Sequence, residues 1–140
     1  MLCASASTIE FKMQFEYDKE RDIAWVRLQG EDLETAYRAA MAHLLSERLC
    51  QKNTPAVWNL TEINLSDLTP DRIKSVADYQ ANSVQADRIA PAAILVDSEM
   101  GTMIFKLYRD MAGISEDRLG ICTTEEEALA FIAEARKKYS

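Results

Sequence analysis

Glycine is scarce in this chain, with four among 140 residues. A glycine-rich loop that cradles phosphate has nowhere to form, and no G-x-G-x-x-G, P-loop or G-x-S-x-G motif is present. Histidine is scarcer still. His43 stands alone, and no cysteine pair accompanies it, so the common zinc spacings are missing. Cys3, Cys50 and Cys122 are odd in number and widely spaced, which argues against a disulfide framework. No apolar run approaches the ~20 residues that span a bilayer. Positive charge is in deficit. Lysine and arginine total 16 against 23 acidic residues, for a net charge of −7. Such a chain repels phosphate backbones and anionic membrane surfaces, so nucleic acid is not an expected partner. The opening MLCASAST lacks a basic start and a long apolar stretch. The expectation is therefore no secretion signal and a cytoplasmic setting.

What remains is a chain that is 48% apolar and of single-domain length. The expected domain covers 8–138, with 1–7 as a flexible lead segment. Ile9, Phe11, Met13, Phe15 and Tyr17 alternate with polar residues, the period of a half-buried strand. A polar turn, Asp18 to Asp22, leads into a second strand from Ile23 to Leu28, so the pair reads as an antiparallel hairpin. A first helix follows over 32–49, with Leu33, Ala36, Tyr37, Ala40, Met41, Leu44 and Leu45 on one face. Ala56-Val57-Trp58 reads as a buried strand closed by Asn59. Thr69 as N-cap, Pro70 and Asp71 in the first turn, and a Leu68–Ile73 staple open a second helix. Ile89 to Val96 is apolar almost throughout, the mark of a central strand covered on both faces.

A third helix starts near Ser98 and ends at Gly113. Met100, Met103, Ile104, Leu107 and Met111 form its expected core stripe. Leu119 to Cys122 is a short strand, and Thr124 with Glu127 forms a capping box that opens the last helix. The order is ββαβαβαβα. Right-handed crossovers then make the last four strands parallel, with the first as an antiparallel edge.

Several residues resemble those of a known family. They are Pro55-Ala56-Val57-Trp58-Asn59, Arg88-Ile89-Ala90 leading into Ala93-Ile94-Leu95-Val96, Gly101, and Glu126-Glu127-Ala128-Leu129-Ala130-Phe131-Ile132. In this order they resemble the STAS domain of sulfate-transporter tails and anti-sigma-factor antagonists, and more closely the bacterial SpoIIAA-like proteins. The resemblance spans roughly Phe15 to Ile132. It implies a five-stranded mixed sheet with four helices, no cofactor, and a non-enzymatic role in protein–protein regulation. The similar architecture of SEC14 domains keeps open a carrier of a small apolar ligand or lipid. A metal- or thiol-dependent enzyme is the third reading. Two departures stand out. Asn59 occupies a position where the group has Asp. Asp67 matches the Asp that precedes the phospho-acceptor serine of the antagonists, but Leu68 follows it, with Ser66 and Thr69 alongside.

Candidate site residues fall in two places. Beyond the carboxyl ends of the parallel strands, where open sheets bind ligands, a polar crevice is expected from Asn59, Glu62, Asp67, Asp97 and Ser98. Its carboxylates suit a hard cation, although Asp67, Asp97 and Ser98 also suit helix caps. On the third helix, Phe105, Tyr108 and Ala112 widen the apolar sector beyond the methionine stripe. A wide stripe either packs deeply or offers a partner surface or groove lip, and the expected contact set is Met103, Phe105, Tyr108 and Ala112. A homodimer would then use Phe105 as its anchor. His43 lies about 100° from the centre of its own helix's stripe, a flank position. Cys122 precedes a helix N-terminus, which favours a thiolate, but Glu125 to Glu127 oppose that effect, so a small core residue is expected.

Overall fold

A computed structural model describes residues 11–48, 54–66, 68–83 and 90–139. Ile9, Asp67, Arg88, Ile89, Cys3 and Cys50 lie outside the described residues, as does the 1–7 segment. The elements are β1 (Phe11–Asp18), β2 (Ile23–Gly30), α1 (Leu33–Ser46), β3 (Ala56–Ile63), α2 (Pro70–Ser83), β4 (Ala92–Leu95), α3 (Glu99–Ala112), β5 (Leu119–Cys122) and α4 (Glu125–Tyr139). They form one five-stranded sheet in the order β1-β2-β3-β4-β5. β1 runs antiparallel to β2, and the other pairs are parallel, as the element order predicts.

Local chemistry explains the boundaries. Asp18 Oδ1 accepts from the backbone N–H of Glu20 and Arg21, at 3.1 and 3.2 Å, which tightens the hairpin turn. Asp32 caps α1 by accepting from Thr35 N–H and Thr35 Oγ1. Thr69 Oγ1 accepts from Arg72 N–H, and Ser98 Oγ accepts from Gly101 N–H. Thr124 Oγ1 accepts from Glu127 N–H, while the Glu127 carboxylate accepts a hydrogen bond from the Thr123 hydroxyl. Gly113, at φ 69, closes α3 in the left-handed conformation that glycine adopts without strain.

Consecutive strands lie side by side, and right-handed crossovers then place α1, α2 and α3 on one face of the sheet. The core divides accordingly. On that face, Val26, Leu28, Trp58, Leu60 and Ile94 meet Tyr37, Met41, Ile73, Phe105 and Tyr108. On the other, Ile23, Val57, Ala93, Leu95 and Cys122 meet Ala128 and Ile132 of α4. Gly120 makes that second contact close: a Cβ there would stand 2.7 Å from the Phe131 ring. α4 covers β4 and β5 and reaches Ile23 at the start of β2, and an open groove lies beside Trp25 and Arg27 farther along the hairpin on this face. β4 is covered on both faces, as its apolar run predicts, but it lies next to the β5 edge, and β3 is the central strand.

β3 is longer than its apolar signal. It continues through Asn59 to Ile63, with a register shift opposite Arg27 and Gln29 of β2. Trp58 sits on this central strand, buried, with its ring 5.4 Å from that of Tyr37. Trp25, on the opposite face of the hairpin, is half-exposed. Trp58→Ala should lower the unfolding free energy by about 3–5 kcal/mol in urea titration, through the cavity it leaves. A loss below about 1 kcal/mol would place the side chain outside the core.

Candidate functional site

Helix α3 carries two apolar faces, and the structure buries the one that the methionine pattern does not mark. Gly101, Phe105 and Tyr108 are buried, with Phe105 5% exposed. Ile104 and Ala112 pack partly against the same core. Met100, at 50%, and Met103, at 71%, are exposed, as are Leu107 and Met111. The core stripe expected at Met100, Met103, Leu107 and Met111 is therefore corrected to a surface. The exposed strip expected at Phe105 and Tyr108 is corrected to core, and the buried face lies about 120° around the helix from the methionine one.

The cause is a close approach. A Cβ on Gly101 would stand 3.1 Å from Val96 Cβ, so α3 lies near the end of β4 only with Gly101 inward. Phe105 and Tyr108 follow at i+4 and i+7 and share that inward face. Glycine inside a helix costs about 1 kcal/mol against alanine, and close packing is a common reason to keep it. Gly101 was therefore the available signal, and counting methionines missed it. Once buried, the Tyr108 hydroxyl meets that of Tyr37 at 3.5 Å, and desolvation pushes its pKa above the ordinary value.

Of the residues expected at a polar crevice, Asn59, Glu62 and Ser98 are engaged in other contacts. Asn59 lies in the middle of β3 rather than at its carboxyl end, because the strand runs on to Ile63. Its Oδ1 accepts from both N–H and Oγ1 of Thr61. Glu62 takes hydrogen bonds from Gln29 and Arg27, and these two donors hold its carboxyl below the usual range. Ser98 is spent on the α3 cap, and Asp97 is exposed. Asp67 is outside the described residues. Among those described, no three His, Cys, Asp or Glu are grouped to hold a metal ion. Thr69, next to Leu68, has its hydroxyl engaged by Arg72 N–H, and the Ser66 hydroxyl donates to Asn64 Oδ1.

His43 is a half-buried flank residue whose ring stands edge-on to Phe15, with centroids 4.4 Å apart. Cys122 is buried beneath α4. Burial first, and Glu127 second, push its thiol pKa up, the reverse of an activated nucleophile. On the half-bare sheet face an open groove of about 510 Å³ is lined by Gln14, Glu16, Trp25, Arg27, Asn59 and Leu129, among others. A second groove, about 390 Å³, lies among charged side chains of α1 and α2, where Arg38 stacks on Tyr79.

Comparison with known proteins finds no matching family model and no matching curated protein. A solved structure does match. It is an uncharacterized protein of the DUF3478 family, with a SpoIIAA-like fold, from Shewanella loihica. The two share 14% identity with a TM-score of 0.57, covering 93% of this chain and 99% of the other. The fold is thus SpoIIAA-like.

Two measurements check the site. Phe105→Glu should destabilise the domain by more than about 3 kcal/mol, because a carboxylate would enter the core unpaired. Met103→Glu, on the exposed face, should change stability by less than about 0.5 kcal/mol. Equal effects would refute the assigned rotation of α3. For Cys122, mass mapping after iodoacetamide at pH 8 should find no alkylation in the folded chain and full alkylation in urea. Rapid modification of the folded chain would reinstate a reactive thiol.

Proposed function

We propose that this chain is a non-enzymatic, STAS-like protein-interaction domain of a bacterial cytoplasm, in which the outward face of α3 receives a partner protein. One observation carries the reading. Met100, Met103, Leu107 and Met111 lie exposed on one helix of an otherwise acidic protein. Solvent-exposed apolar side chains grouped on one face mark interaction sites more often than they occur by chance. Methionine is suited to such a face, since its unbranched, polarizable side chain adapts to varied surfaces. The rest of the helix is held in place by Gly101, Phe105 and Tyr108, so the outward face is presented on a rigid element. The SpoIIAA-like fold is consistent with this role, and fold likeness alone does not assign it.

Regulation by phosphorylation at the start of α2 is not part of the proposal, because Leu68 stands at the acceptor position. No described helix is long and apolar enough to cross a membrane.

The reading is tested by photocross-linking in cells. A diazirine side chain at position 103 should trap a discrete partner band, and the same probe at position 78, on exposed α2, should not. Leu107→Glu should abolish the band while leaving the fold intact. An identical pattern from positions 103 and 78, or no band from either, would sink the proposal. Trapping of lipid instead of protein at position 103 would favour the apolar-ligand carrier.

A further inference from the structure

The outer edge of β1 is paired with no described strand, since β1 ends the sheet. Eight residues make a long edge, and Phe11–Asp18 holds no proline to blunt it. Its register with β2 runs without a bulge from Phe11 to Asp18.

The backbone polarity of this edge follows from β2. Ala24 N–H donates to the carbonyl of Pro55, at 2.9 Å, so Ala24 faces β3. Its neighbours Ile23 and Trp25 therefore face β1, where they pair with Asp18 and Glu16. By the same alternation Gln14 and Lys12 turn their backbone groups inward. Phe11, Met13, Phe15 and Tyr17 direct N–H and C=O outward.

We propose that β1 pairs antiparallel with β1 of a second copy, about a two-fold axis at Gln14, joining the two sheets into one. In this register all four outward-facing residues exchange backbone hydrogen bonds, about eight in all. Moving the axis to Met13 or Phe15 leaves about six. A shift by half a residue places outward groups opposite inward ones and mixes the two faces.

The side chains complement each other in the same register. Lys12 stands opposite the partner subunit's Glu16, and Glu16 opposite the partner subunit's Lys12. These are non-hydrogen-bonded positions, where side chains approach most closely. Both residues are exposed, and neither forms an ion pair among the described residues. On the opposite side of the strand, Met13 meets the partner subunit's Phe15. Both are half-buried against the α1 side of the core, so pairing extends that core across the axis. Opposite charges and apolar pairs thus coincide with the register that satisfies the most backbone groups. The net charge of −7 on each chain opposes association in general, and this local match selects the edge at which it occurs.

The test is sedimentation of the full chain over a concentration series. Wild type should show a reversible dimer. Lys12→Glu sets carboxylates opposite one another twice and should weaken the dimer roughly tenfold or more. Glu16→Lys should do the same through two lysine pairs. The double variant Lys12→Glu/Glu16→Lys should restore wild-type affinity, because the exchange preserves every pair across the axis. Leu107→Glu on α3 should leave the dimer unchanged, which separates this contact from the one proposed for a partner. A wild type that stays monomeric at millimolar concentration overturns the proposal. So does a dimer indifferent to the charge series, or one dissociated by Leu107→Glu.

Discussion

Right-handed crossovers between consecutive, adjacent strands decide most of what this molecule presents to solvent. With the sheet ordered β1-β2-β3-β4-β5, each crossover helix lands on the same face. Three helices share one side, where Trp58, Tyr37 and Leu28 lie in a continuous core. Among the described residues, the other side receives α4. It settles over β4 and β5, where Gly120 lets Phe131 lie close to the sheet. The hairpin is left half-covered, with Trp25 facing an open groove and β1 pairing its outer edge with no described strand. Arg136 near the end of α4 donates to the Arg21 carbonyl at 2.8 Å, which ties this helix to the hairpin turn.

Within the thick side, a second constraint sets the rotation of α3. Gly101 against Val96 admits one inward face, and the methionines are turned out as a consequence. The exposed apolar side chains of α3 are thus tied to core packing about 120° away around the same helix. The helix interior is ordered by Phe105 and Tyr108, whose rings stand edge-to-face at 6.4 Å. A rigid helix offering adaptable side chains suits recognition, since little backbone order is lost on contact. Three of the polar residues expected at a crevice are engaged locally: Asn59 with Thr61 within β3, Glu62 with Arg27 and Gln29, and Ser98 in a cap. Their hydrogen-bonding capacity goes into holding the chain.

The sequence by itself determined the elements and their order. Strict alternation from Met13 to Tyr17, the Thr69-Pro70 and Ser98 caps, the Thr124–Glu127 pair and Gly113 are short-range signals. Each acts through neighbours within a turn or a strand, so each is legible from residue type and spacing. The parallel sheet followed because crossover handedness leaves one choice. Burial of Trp58 and Cys122 was also legible, from apolar runs too short to be anything but strands. The tertiary structure alone decided which face of α3 is core, where β3 ends, and how far α4 reaches across the sheet. Periodicity shows that a helix has an apolar sector but does not rank two sectors of similar hydropathy. That ranking came from the space beside Val96, a contact between different elements. Asn59 likewise reads as a strand terminator in isolation, yet pairing with Arg27 and Leu95 on either side carries the strand through it. The second outcome depends on strands distant in the chain, which no local pattern encodes; the first turns on Gly101 beside Val96, a contact whose one trace in the sequence is a lone glycine inside a helix.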